Sequence, residues 1–356
     1  LIAFLGFYKR LNNKNHHGVD VIMRYTLRLL TTQQFTRAAS LICAMEKLRL
    51  DNISQLGDNE FSIGVWLGQA TTPNRKQKAK AIVRQLQKDN VDDQDEDPFL
   101  LTKCPWCSAA MGLVQIKNNS IKRSFPKTEL IGIEEAENTV KFRCADTKCH
   151  YNKCWLPIYV IDDDVYDKRP TILIATVDKF AQVAWMPEAK SIFGLDNNGE
   201  RVNDPPSLIL QDELHLITGP LGSMFGLYET LIEDLCTDKR NSKNTKPKII
   251  CSTATIKRYA KQVQSLFNRN ECSLFPPLGL TIEDNFFGRY KYKKKTNELD
   301  NPKKYIGIHA SSIGSTQSAQ VRVYAALLQS VMFMDEEDRD PWFTLMNFFG
   351  SIRELA

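Results

Sequence analysis

Ser207-Leu208-Ile209-Leu210-Gln211-Asp212-Glu213-Leu214-His215 is an apolar run that ends on two adjacent carboxylates. Such a run, without polar alternation, suits a strand covered on both faces, and therefore a parallel sheet. Open parallel sheets bind their ligands beyond the carboxyl ends of the strands. A carboxylate pair placed there suits phosphoryl chemistry. One carboxylate can offer oxygen ligands to Mg2+, which prefers oxygen and keeps several waters. The other is then placed to orient or deprotonate an attacking water. Successive strand residues point to opposite sides, so the two carboxylates can hold different roles. In isolation the pair would read as an ordinary acidic strand end. The stretch Lys248-Ile249-Ile250-Cys251-Ser252-Thr253-Ala254-Thr255, about forty residues on, gives it company. Its hydroxyls fall just past a second apolar strand, in reach of the carboxylates.

Outward from this pair, apolar segments alternate with helical ones. Strands are predicted at 19–23, 61–67, 171–175, 207–210 and 248–252, and helices at 32–50, 74–88, 222–235 and 256–267. That alternation is the pattern of an α/β fold with a parallel sheet. Residues 89–97 are almost wholly polar and mark a boundary. After the turn-rich Phe275-Pro276-Pro277-Leu278-Gly279, a strand at 305–310, a helix at 316–334 and a strand at 343–349 are expected to begin a second α/β unit.

Of nine cysteines, five lie between Cys104 and Cys154. Cys104-Pro105-Trp106-Cys107 and Cys144-Ala145-Asp146-Thr147-Lys148-Cys149 each place two thiols on a tight turn. Together they suit one tetrahedral Zn2+ site of Cys104, Cys107, Cys144 and Cys149. His150 and Cys154 remain open as the fourth ligand in place of Cys149. The His-x-Glu that a zinc deaminase requires is absent. Lys117, Lys122, Arg123 and Lys127, between the two halves, read as a solvated face. His16-His17 reads as an exposed turn. A disulfide scaffold does not fit a chain of 356 residues, and a reducing cytoplasm is expected. The net charge of +5 permits nucleic acid as a partner without demanding it. No apolar run approaches the length of a membrane span.

With these residues in hand, the chain resembles the superfamily 2 helicases of the DExH type. Asp212-Glu213-Leu214-His215 resembles their Walker B motif. Thr253-Ala254-Thr255 resembles their Ser-Ala-Thr coupling motif. Thr26-Leu27-Arg28-Leu29-Leu30-Thr31-Thr32-Gln33 is similar to their P-T-R-E-L-A-x-Q, matching at Arg28, Leu30 and Gln33 and departing at the Pro and Glu. Thr176-Val177-Asp178-Lys179 stands where they carry T-P-G-R. A nearer resemblance is to the helicase-like subunit of the DISARM antiphage system. It is carried by 176–181, 212–222 and 345–355 and extends, with the other motifs, over nearly the whole chain.

The resemblance implies a RecA-like parallel sheet of the P-loop NTPase class as the first helicase domain (1–90 and 161–270). A zinc-binding insertion (91–160) and the start of a second RecA-like domain (271–356) complete it. It implies Glu213 and Asp212 as catalytic residues, with Asp212 at Mg-ATP. Thr253, Thr255 and His215 would couple hydrolysis to movement. Arg28, Gln33, Thr176 and Lys179 would grip nucleic acid, DNA rather than RNA, with a cation facing outward beside backbone N–H groups. Other defence-complex subunits are implied as partners, and no membrane.

One departure weighs heavily. A phosphate-cradling loop needs Gly-x-x-x-x-Gly-Lys-[Ser/Thr], and no Gly in this chain is followed by Lys. The chain opens on Leu1, mid-pattern, and is expected to be a fragment lacking that loop and the C-terminal motifs. The chain alone is expected to be nearly inactive as an ATPase. The alternative is a binding scaffold that keeps the helicase fold without hydrolysis.

Overall fold

The structure is a computed structural model. It describes the chain apart from residues 27, 69–70, 89–98, 117–126, 241–243, 255–257, 278, 282, 301 and 352–356, and apart from the side chains of 28–33, 88, 116 and 127. Two compact units are present, Leu1–Cys272 and Ser273–Ala356.

The first unit runs α1 (Ile2–Asn12), β1 (Val21–Tyr25), α2 (Arg28–Asp51), α3 (Ile53–Leu56), β2 (Ile63–Trp66) and α4 (Lys76–Lys88). The cysteine-bearing stretch follows with β3 (Gly112–Ile116), β4 (Lys127–Ile131), β5 (Ile133–Ala136) and β6 (Thr139–Phe142). The alternation resumes through β7 (Ile158–Tyr159), α5 (Asp162–Lys168), β8 (Ile172–Thr176), β9 (Leu208–Gln211), α6 (Gly219–Cys236), β10 (Lys248–Cys251) and α7 (Tyr259–Phe267). Six strands form one parallel sheet in the order β10-β9-β1-β8-β2-β7. The α/β parallel sheet expected from the apolar runs, RecA-like as the resemblance implies, is therefore the fold of this unit.

Strand alternation explains how both sheet faces are covered. On β8, Ile172 and Ile174 join a core with Phe35, Ile42 and Met45 of α2, while Leu173 and Ala175 join another with Val165 of α5 and Ile232 of α6. Successive side chains point to opposite faces, so an unbroken apolar strand needs cover on both. Gly64 of β2 is fixed by that cover, since a Cβ there would lie 2.4 Å from Pro170.

The cysteine stretch forms two antiparallel hairpins, β3–β4 and β5–β6. It does not build a separate core. Met111, Ile133, Val140, Phe142 and Tyr151 join Ile42 and Met45 of α2 in one cluster. The Tyr151 hydroxyl donates to the Cys43 carbonyl at 2.7 Å, and Ser40 Oγ to the Pro105 carbonyl at 2.7 Å. Both anchors lie on α2.

Two expectations are corrected. His16 is buried, not in an exposed turn. Its Nε2 lies 2.7 Å from Asp20 and its Nδ1 3.1 Å from Asp204, and Lys9 also reaches Asp20 at 2.7 Å. In the second unit, α8 (Thr316–Val331) forms as predicted, but 305–310 and 343–349 form no strand. A parallel strand needs neighbours and cover on both faces, whereas Tyr305, Ile306, Ile308 and Phe348 of these segments are exposed. No helix among the described residues is long and apolar enough to cross a membrane.

Candidate functional site

The strand register levels one edge of the sheet. Cys251 pairs with Gln211, Gln211 with Arg24, Arg24 with Ala175 and Ala175 with Trp66, a single row across five strands. The candidate residues Asp212, Glu213, Ser252 and Thr253 leave the sheet just beyond that row, at the carboxyl ends of the strands, and Thr176 closes β8 one position past it, paired with Tyr25.

Asp212 stays tied to the sheet through its N–H, which donates to the Arg24 carbonyl at 3.0 Å. Its Oδ1 accepts from the Glu213 N–H at 3.0 Å and from the Ser252 hydroxyl. Glu213 adopts a left-handed backbone, φ 50° and ψ 48°. That conformation costs a non-glycine residue about 1 kcal/mol or more and tends to gather at functional sites. The Glu213 carboxylate reaches His215, whose Nδ1 lies 3.2 Å from Glu213 Oε2 and 3.2 Å from Thr253 Oγ1. The Leu214 N–H donates to the Ser252 carbonyl at 3.1 Å, which locks the two post-strand turns together. Two chains of contacts result, Asp212–Ser252 and Glu213–His215–Thr253. Neither carboxylate is paired with a Lys or Arg among the described residues, and both are partly exposed. Burial pushes the Tyr25 phenol up to about 12, and the nearby Asp212 charge adds to the shift.

The other candidates divide. Thr255 lies outside the described residues. Arg28 and Gln33 stand in the first turns of α2, with side chains outside the described set. Thr176 closes β8 with its hydroxyl buried and unpartnered. Lys179 does not face outward as expected. It is 2% exposed, 2.7 Å from Asp162 Oδ2, and 5.7 Å from the Trp66 ring centre. The short 3-10 turn Val177–Ala184 packs Val177, Lys179, Phe180 and Val183 inward, so the ammonium faces the core and not a ligand. Its role here is to hold α5 to the turn after β8.

Sequence reading missed Arg24. Inside the apolar strand β1, its guanidinium lies against Phe180, Phe225 and Phe267 at 5.8, 5.0 and 5.9 Å. It also donates to both carboxylate oxygens of Glu229 on α6, at 2.5 and 3.2 Å. An Arg within an otherwise apolar strand was the available signal.

The second constellation is the cysteine cluster. The sulfurs of Cys104, Cys107, Cys144 and Cys149 all lie within 4.8 Å of one another. Cys104 and Cys149 are 4.0 Å apart, and Cys107 and Cys144 3.5 Å. A disulfide would bring a pair to about 2.05 Å. A regular tetrahedron with metal–sulfur bonds of about 2.3 Å has edges of about 3.8 Å, so the spacing fits a metal ion held by four thiolates. Cys149 completes the set. His150 and Cys154 face each other at 3.8 Å outside it. Burial pushes the Cys149 thiol up to about 11 and raises Cys144 further. Crowded thiols resist ionising together, and a divalent cation reverses that preference.

No family model matches the sequence. Along its whole length the chain is 35% identical, over 394 aligned residues, to DISARM protein DrmA of Bacillus paralicheniformis. It spans 34% of that relative, about a third. A solved structure of the DUF1998 helicase MrfA bound to DNA matches 75% of this chain and 24% of its own. The identity is 14% and the TM-score 0.25, a superposition too loose to add to the fold read from the strands.

Proposed function

From a chain related along its whole length to DISARM protein DrmA, we propose that it forms part of an ATP-dependent helicase or translocase. Its substrate is nucleic acid, DNA rather than RNA, and its setting is antiphage defence in the cytoplasm beside other defence subunits. The observation that carries this reading is the pair of contacts beyond one sheet edge, Asp212 to Ser252 and Glu213 through His215 to Thr253.

The acidic residues fit Mg2+ because, among the described residues, they are unpaired with Lys or Arg, and they are reachable by solvent. Bound Mg-ATP supplies the phosphoanhydride and the cation that offsets its charge. Asp212, whose Oδ1 accepts from the Ser252 hydroxyl and the Glu213 N–H, would hold the cation with its carboxylate. Glu213, turned by its left-handed backbone, orients the attacking water and accepts its proton. His215 joins Glu213 to Thr253, so a change at the carboxylate reaches the turn after β10. Arg28 and Gln33, in the first turns of α2 after β1, suit contact with a nucleic-acid backbone on the same edge, whereas the buried Thr176 hydroxyl does not reach one.

The phosphate grip is not among the residues of this chain, which has no Gly-Lys pair. The chain alone therefore hydrolyses ATP at close to background. That absence also favours a second reading, a scaffold that binds without hydrolysis. Zn2+ is the metal we assign to the four cysteines, in a structural role, since four thiolates leave no open coordination position. ATP hydrolysis by the whole protein with Asp212→Asn and Glu213→Gln variants separates motor from scaffold.

A further inference from the structure

We infer that the turn carrying Trp106 is a second contact point for single-stranded nucleic acid, a base-stacking platform with exposed lysines on the turns that meet beside it. The inference rests on the nucleic-acid reading above and extends it to a surface outside the sheet edge.

Trp106 sits between Cys104 and Cys107 and is 42% exposed. Its ring is fixed from behind, 5.9 Å from Tyr151 at an interplanar angle of 70° and 6.3 Å from His150 at 55°. Tyr151 is in turn buried and bonded to the α2 backbone. The indole thus keeps exposed surface without being free to swing, and a stacking partner need not pay for ordering it. Each neighbouring loop adds an exposed lysine. Lys103 precedes Cys104, Lys148 precedes Cys149, and Lys153 precedes Cys154. The sulfurs of Cys104 and Cys149 are 4.0 Å apart and the His150 ring lies 6.3 Å from the Trp106 ring, so the two cysteine turns, one with Lys103 and the other with Lys148 and Lys153, meet beside the indole. None of these lysines is in an ion pair among the described residues. The neighbouring acid, Asp146, has its Oδ1 engaged by the Lys148 N–H.

Aromatic faces bind unpaired bases of any sequence, while nearby cations take the phosphates. The anchor on α2 also sets the distance. Ser40, which holds the Trp106 turn through Pro105, lies twelve residues past Arg28 on one helix, about 18 Å at 1.5 Å per residue. A strand gripped beyond the sheet edge can therefore run along α2 and reach the platform.

The test uses the purified chain and a fluorescein-labelled oligo-dT followed by anisotropy. Trp106→Ala is expected to weaken binding by about 5- to 150-fold, the range for losing one stacked base. Trp106→Phe, which keeps a ring, should stay within about threefold of the parent. Replacing Lys103, Lys148 and Lys153 by Gln should lower the slope of log affinity against log salt by about 2, near 0.7 per phosphate contact. Zinc content equal to the parent's shows that each variant has kept the module folded. Unchanged affinity in Trp106→Ala, while Arg28→Ala binds more weakly, overturns the platform and leaves the sheet-edge reading standing. Equal losses in the Ala and Phe variants also overturn it, and so does self-association that Trp106→Ala abolishes without changing oligonucleotide affinity. No binding by the parent chain defeats both readings.

Discussion

Glu229→Gln removes the counter-charge of Arg24 while leaving the side-chain shape almost intact. The guanidinium is 0% exposed and the carboxylate 3%, with two N–H···O contacts between them and three phenyl rings around the cation. Breaking a buried pair from one side strands the other charge in a low dielectric, at a cost of about 3–5 kcal/mol. Against a domain stability of about 5–15 kcal/mol, that is a large share. A shift of about 2–4 °C per kcal/mol for domains of this size gives a melting temperature lower by roughly 6–20 °C. The double variant Arg24→Met with Glu229→Leu removes both charges and keeps apolar volume among Phe180, Phe225 and Phe267. It should recover most of the loss, because well-packed apolar groups replace buried pairs at little cost. Urea denaturation of the parent, Arg24→Met, Glu229→Leu and the double closes the cycle, with Glu229→Gln measured beside it. With singles of about 3–5 kcal/mol each and a double that loses about 1 kcal/mol, the coupling energy should be about 5–9 kcal/mol. A single-variant loss below about 1 kcal/mol, or a double that loses the sum of the singles, would refute the reasoning. The pair lies directly under the site, since the Arg24 carbonyl accepts from the Asp212 N–H at 3.0 Å.

Two further outcomes follow from the module and from the loop beneath α6. Stripping metal with a strong chelator should release one Zn2+ per chain and lower the melting temperature, and Cys149→Ser should reproduce the loss; a zinc content near zero after denaturation would remove the metal site. At Asp238, hydrogen bonds from Arg240 hold the carboxyl down at about 2. Its folded pKa lies below the unfolded value, so its contribution is complete above about pH 4 and fades as pH falls toward 2. Solvent screening keeps that contribution to about 1 kcal/mol or less. Asp238→Asn should therefore melt lower than the parent at pH 6 and alike at pH 2, and an equal gap at both would contradict the assignment.

Much of the first unit was legible in the sequence because β1, β2, β8 and β9 carry apolar side chains on both faces. Only a sheet covered from both sides accepts such strands. The cysteine spacing was legible for a similar reason, since two tight turns bring four thiols within bonding distance of one ion. Lys179 was misread because its direction depends on the 3-10 turn after β8 and on Asp162, seventeen residues earlier. His16 was misread because its partners include Asp204, far along the chain. The left-handed turn at Glu213 has no signature in residue type, since Glu has no preference for it. The segments 305–310 and 343–349 have the apolar content of strands, but strand formation is decided by neighbours, and the structure gives them none to pair with.

ATP hydrolysis by the whole protein, with and without DNA, in the parent and in Glu213→Gln, tests the account at its centre. The parent should turn over ATP with stimulation by DNA. The variant should lose about 100-fold or more in kcat, the contribution of a positioned base, while Asp212→Asn should raise the Mg2+ needed. A Glu213→Gln protein that hydrolyses ATP within about threefold of the parent would contradict it.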